Sequence, residues 1–135
     1  MKKKPTCFIV APFDAAGRRV QETIRRTLEG EGFRVVSPED IPAAAHIMSA
    51  VTEAITEADF LVVDTTRQNP NVMYELGLAH GLRKPTILIQ STEEHSQFPT
   101  DLAGWLYVSY DPSNFRQFTS YLSHAVQRFK PQSKS

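Results

Sequence analysis

The sequence holds a single cysteine, Cys7, so no disulfide can form within the chain, and a reducing compartment is the simple reading. It also lacks net charge: Lys and Arg together number 15, as do Asp and Glu. That balance argues against a protein that grips nucleic acid by neutralising phosphates, and none is expected as a partner. No stretch approaches the roughly 20 apolar residues of a membrane-spanning helix. Met1-Lys2-Lys3-Lys4 resembles the start of a secretory leader, but the apolar run behind it is short and is broken by Pro12 and Asp14. A cytoplasmic protein is therefore expected. There is no GxGxxG or Walker loop and no GxSxG nucleophile elbow. His46, His80, His95 and His124 are scattered, with no Cys/His spacing that suits zinc, so neither a metal nor a cofactor is expected. Cys7 falls inside an apolar run, where a thiol behaves as a small hydrophobe rather than a nucleophile.

What is present is a globular composition, 41% hydrophobic and 22% charged over 135 residues, enough for one domain over residues 1–130 with a frayed tail at 131–135. Strand-like and helix-like segments alternate. Thr6 to Phe13 reads as a buried first strand. Residues 15–30 switch to helical spacing, with Val20, Ile24 and Leu28 on one face, Asp14 as the cap, and Gly30 and Gly32 at the end. Phe33 to Ser37 is a second strand, followed by a polar loop and a helix over 43–57 carrying Ile47, Val51, Ala54 and Ile55 on one side. Phe60-Leu61-Val62-Val63 is the continuous apolar run of a central parallel strand. A third helix begins near Asn69, Pro85 opens the strand Thr86–Ile89, and a long polar loop from Ser91 to Gly104 precedes a fifth strand, Leu106–Tyr110. The last helix runs from Asn114 to Phe129.

This alternation predicts an α/β fold: a flavodoxin-like, doubly wound five-stranded parallel sheet in the order 2-1-3-4-5. Ligands of such sheets bind beyond the carboxyl ends of the strands. Phe13 and Asp14, Asp64, and Gln90 with Ser91 all fall at such ends. A response-regulator receiver shares this strand order but needs paired acids after the first strand and a lysine after the fifth. Only Asp14 stands at the first place, and Asp111-Pro112 follows the fifth strand.

The chemistry concentrates between Asp64 and Gly81. Pro70 suits the first helical position and Asn69 the cap, so this helix is expected to aim free N–H groups at the strand ends as an anion or sugar site, with Asn71 beside them. At about 100° per residue, Glu75 lies within the apolar arc formed by Val72, Met73, Leu76, Leu78, Ala79 and Leu82. A carboxylate there needs a partner or a raised pKa, either of which marks a candidate acid, base or nucleophile. Gly77 and Gly81, four apart, are expected to let the helix approach the sheet closely. Arg18 and Arg67 are candidate cations for a phosphate, though an ordinary exposed arginine is the default reading of each.

The run Asn69-Pro-Asn-Val-Met-Tyr-Glu-Leu-Gly-Leu-Ala-His-Gly-Leu82, followed by Lys84-Pro-Thr-Ile-Leu-Ile89, resembles the signature of the nucleoside 2-deoxyribosyltransferase-like superfamily, nearest to its bacterial TIR-like nucleotide-binding proteins. Ala58 to Asp64, Phe98-Pro-Thr-Asp101-Leu102 and Phe8-Ile-Val-Ala-Pro12-Phe13 fit the same pattern. The resemblance implies Glu75 as the nucleophile, or the stabiliser of the cation formed when a base leaves C1′, with Asp64 assisting and Tyr74 as the aromatic residue before the glutamate. It also implies Phe13 where transferases of the group often carry tyrosine, a departure the TIR-like branch accommodates. Phe13, Asp14, Asn69, Asn71, Tyr74 and Ser91 become candidate substrate contacts, with a nucleoside, nucleotide or NAD as the ligand and a homo-oligomer as the assembly. Three functions stay open: an N-glycosidase or transferase, a NAD-cleaving or signalling-nucleotide domain, and a non-catalytic binding module.

Overall fold

Apolar residues at helical spacing after the first strand become a helix because one stripe finds a sheet to cover. In the computed structural model, which describes residues 4–12, 14–41, 47–66, 69–93 and 107–131, that helix is α1 (Ala15–Gly30), between β1 (Thr6–Val10) and β2 (Arg34–Val36). Then come α2 (Ile47–Glu57), β3 (Phe60–Asp64), α3 (Pro70–Gly81), β4 (Thr86–Ser91), β5 (Tyr107–Tyr110) and α4 (Arg116–Ala125). The sheet order is β2-β1-β3-β4-β5 with every pair parallel, as the alternation implied. No helix among the described residues is long and apolar enough to cross a membrane.

Strand alternation splits the core in two. Cys7, Ile9, Phe60, Val62, Ile87 and Ile89 face α1 and α4, while Phe8, Val10, Leu61, Val63 and Leu88 face α2 and α3. Helices thus cover both faces of the sheet, as a wholly parallel sheet requires. Cys7 is fully buried, and burial pushes its thiol well above the ordinary range, which leaves it inert.

Several boundaries move for identifiable reasons. β1 stops at Val10, with Ala11 and Pro12 buried beyond it, and β4 runs on through Gln90 to Ser91 because Ser91 still pairs with Tyr110. The polar loop after β2 contains a 3-10 turn, Pro38–Asp40, strapped to α1 by Arg25, which donates to Val35 O at 3.0 Å and Asp40 Oδ2 at 2.8 Å. The last helix tightens into a 3-10 turn over Val126–Phe129, and the Phe129 ring stacks on Phe60 with centroids 4.2 Å apart. The expectations for Phe13, for residues 42–46 ahead of α2, for the loop at 94–106 and for the tail at 132–135 lie outside the described residues.

Two helices close by the same hydrogen-bond pattern with different residues. After α1, Gly32 N bonds Glu29 O and Phe33 N bonds Leu28 O, with Gly32 at φ +92°. Gly30, expected to end the helix, is instead its last residue. After α3, Arg83 N bonds His80 O and Lys84 N bonds Ala79 O, with Arg83 at φ 57°. Arg83 carries the Cβ crowding that Gly32 avoids. Arg83→Gly is expected to raise stability by about 0.5–1 kcal/mol, visible as a higher urea midpoint at unchanged slope. Lys84 then turns back, and its Nζ donates to Thr56 O at 2.7 Å and Ala58 O at 2.9 Å, placing a cation on the carboxyl end of α2.

Candidate functional site

Alternation along β3 sends Asp64 to the α1 side, with Phe60 and Val62. There it is 1% exposed and accepts from Thr66 N at 3.0 Å, from Thr66 Oγ1 at 2.5 Å, and from the Tyr110 hydroxyl at 2.7 Å. Thr66 Oγ1 also accepts from Ser91 N at 3.0 Å and lies 3.0 Å from the Tyr110 hydroxyl. This network ties together the carboxyl ends of β3, β4 and β5. It floors a cleft of about 280 Å³ whose other wall is Pro12 and the first turn of α1, with Arg19 and Glu93 also on its lining. Gly17 forms that wall because an added Cβ would collide with the Pro12 carbonyl oxygen and sit 3.1 Å from Asp14 Oδ1. Asp14 caps α1 by accepting from Gly17 N at 2.7 Å. Tyr110→Phe removes one donor from a buried carboxylate, while the Phe115 and Phe118 rings, 6.0 and 5.4 Å away, hold the ring in place. An expected loss of about 1–3 kcal/mol follows, to be read from urea denaturation.

Glu75 stands on the opposite face. α3 packs on the sheet through Val72, Leu76 and Ala79, and Glu75 in its second turn is half-buried beside them. Its Oε2 is inaccessible to solvent and has no hydrogen-bond partner among the described residues, and burial pushes its carboxyl up to about 7. The apolar arc around it is narrower than the sequence implied, since Leu82 is 39% exposed.

The start of α3 differs from expectation. Asn69 Oδ1 accepts from Asn71 N at 2.9 Å and Val72 N at 3.4 Å, Met73 N bonds Asn69 O, and Pro70 has no N–H. Every backbone donor of the first turn is therefore occupied, and the expected anion site there is closed by its own cap. Asn71 and Tyr74 are exposed, Tyr74 facing Met48 and Thr52 of α2 across a shallow groove. Gly77 and Gly81 face open space rather than the sheet, so close packing does not account for them. Arg18 is exposed, 3.9 Å from Glu39, while Arg67 and Phe13 lie outside the described residues. Among the sequence-derived candidates, Asp64 and Ser91 come together in the cleft, and Glu75 lies across the sheet from it. The reading of the sequence missed Tyr110, Thr66 and Gly17. The available signal was that Tyr110 ends β5 at the same edge as Asp64 and Ser91.

The fold has relatives. No curated protein matches the chain. Among solved structures, the CMP N-glycosidase of Clostridium botulinum superposes with a TM-score of 0.69 at 17% identity, covering 88% of this chain and 98% of that one. The 2-deoxyribosyltransferase of the psychrotolerant bacterium Bacillus psychrosaccharolyticus gives 0.64 at 16% identity, covering 86% and 91%. At such identities these likenesses establish a shared fold. Residues 7–112 match the family model for the CAP12/Pycsar effector protein, TIR domain. That match takes in β1 through β5, and the chain belongs to the CAP12/Pycsar effector TIR-domain family.

Proposed function

We propose that this domain cleaves an N-glycosidic bond of a nucleoside, nucleotide or NAD, with Glu75 as the nucleophile or the stabiliser of the cation at C1′. The observation that carries the reading is the buried Glu75 Oε2, unpartnered among the described residues, in the second turn of α3, the helix that follows the carboxyl end of β3. A folded protein rarely leaves a carboxylate oxygen in that state unless a ligand completes it. In the reaction the C1′–N bond breaks, its electron pair leaves with the base, and the sugar becomes an oxocarbenium ion. An ionised Glu75 offsets that charge or bonds to C1′, and water or another acceptor then takes the sugar.

Asp64 fits a positioning role. Both of its oxygens already accept hydrogen bonds from Thr66 and Tyr110, so it is built to hold those groups rather than to hand over a proton. That favours a base able to leave without protonation. Nicotinamide leaves NAD as a neutral molecule because its ring nitrogen is already cationic in the substrate. NAD is therefore the first substrate to test.

The test is base release, followed by chromatography with mass detection, from NAD and from a panel of nucleosides and nucleotides. Glu75-dependent release of nicotinamide is expected, rising with pH as the carboxyl ionises around 7 and levelling above that. No release from any substrate at high protein concentration would remove the enzymatic reading and leave a binding module.

A further inference from the structure

A second buried polar atom on the α3 face lacks a partner. Gln90, in β4, is 8% exposed, and its Nε2 is inaccessible to solvent and makes no hydrogen bond among the described residues. Leu88 faces α2 and α3, and Ile87 and Ile89 face the other side, so alternation puts Gln90 on the α3 face with Leu88. Its Oε1 confirms the direction, since it accepts from the hydroxyl of Tyr107, whose ring packs against the same cluster. Gln90 is the last residue but one of β4, close to the carboxyl edge, and Glu75 is in the second turn of the helix that starts at that edge. Two buried atoms of opposite character, an acceptor on Glu75 and a donor on Gln90, thus lie on one face of the sheet, on a helix that starts and a strand that ends at its carboxyl edge. The remaining buried orphan among the described residues, Gln21 Nε2, belongs to α1 on the other side.

We infer that Gln90 is a specificity-determining residue whose Nε2 donates to an exocyclic carbonyl oxygen of the leaving base. This rests on the reading of Glu75 as the residue at C1′. The Tyr107 hydroxyl holds Oε1, so the free end of the amide can only donate. A donor-only group accepts a carbonyl and rejects an amino group at the same place. Among bases it selects the carboxamide of nicotinamide, or the carbonyl of hypoxanthine or uracil, over adenine. A site built around such a donor discriminates strongly, because the wrong base leaves the donor buried and unpaired.

Two substrate pairs test this: NAD against its analogue with methyl in place of the carboxamide, and IMP against AMP. Wild-type protein is expected to prefer the carbonyl-bearing member in kcat/KM. Gln90→Met is expected to shrink that preference by about 10- to 100-fold, the loss in kcat/KM falling more heavily on NAD and IMP than on the methyl analogue and AMP, which a merely structural role would not do. Tyr107→Phe, which frees the amide to turn, is expected to shrink the preference as well, and it carries the test if Gln90→Met does not fold. A folded variant that keeps the wild-type preference overturns the proposal while the assignment of Glu75 stands. If wild-type protein releases no base, the assignment of Glu75 fails on its own. The side-chain amide signal of Gln90 in a nitrogen-15 spectrum then decides. A shift with NAD or IMP but not AMP supports the proposal, and no shift with any of them at millimolar concentration overturns it.

Discussion

Glu75→Gln is expected to make this protein more stable at about pH 8, and in the same variant to abolish base release. Burial raises the Glu75 carboxyl from 4.5 to about 7. The folded state therefore holds its proton over a range where the unfolded chain has lost it. Stability falls as pH rises wherever the folded state binds more protons. The cost of ionising Glu75 is absent below about pH 4.5, grows between there and 7, and is fully present above 7. Each tenfold change in proton affinity corresponds to about 1.4 kcal/mol. Glu75 keeps partial contact with solvent, which screens the charge, and about 1–2 kcal/mol is expected to survive. Glutamine has nearly the same shape and no charge, so the variant escapes that cost. Urea denaturation near pH 5 and again near pH 8 reads the difference directly. An equal gain at both values would mean that ionisation is not the cause. The loss of activity tests the other half: base release is expected to fall by at least about a thousandfold, because a neutral amide neither attacks C1′ nor offsets its charge. Both outcomes together would place at Glu75 the usual conflict between stability and function.

The second large effect is expected at Gly17. Alanine there drives its Cβ into the Pro12 carbonyl oxygen, and both partners are held. Pro12 is buried at the end of β1, and Gly17 lies in the first turn of a helix whose cap, Asp14, bonds its N–H. Relief requires moving the helix against the sheet, at an expected cost of about 3 kcal/mol, seen as a lower denaturation midpoint. Gly77→Ala is the internal control. Nothing lies within 4 Å of its added Cβ, so the same substitution is expected to stabilise α3 by about 0.5–1 kcal/mol. Matching losses at both positions would show that the close approach to Pro12 is not what selects glycine at position 17. The shift of α1 is also expected to deform the cleft wall opposite Asp64.

These two positions mark how far the chain could be read without its fold. Glu75 was visible because a carboxylate in an apolar helical arc violates a pattern that its neighbours obey. Gly17 was not visible, because nothing in Ala15-Ala-Gly-Arg18 reveals that Pro12 presses on it. Gly77 and Gly81 looked like contact glycines by spacing alone, yet both face open space. Asn69 was legible as a cap, but its consequence was not: the Oδ1 that caps α3 also occupies the donors expected to bind an anion.

By itself the sequence determined the alternation of strands and helices, hence a parallel sheet covered on both faces, and right-handed crossovers narrowed the strand orders to a few, among them the β2-β1-β3-β4-β5 that is found. It also determined which strand ends carry polar groups. These are local properties, set by hydrophobic period, proline and caps within a dozen residues. Tertiary structure decided which of those groups meet. The Tyr110 hydroxyl reaches Asp64 across 46 residues of chain, and Tyr107 reaches Gln90 from a neighbouring strand. The two sets part onto opposite faces because side chains alternate along β3, β4 and β5 in one shared register. Register between strands arises only when the sheet closes, so no local pattern encodes it.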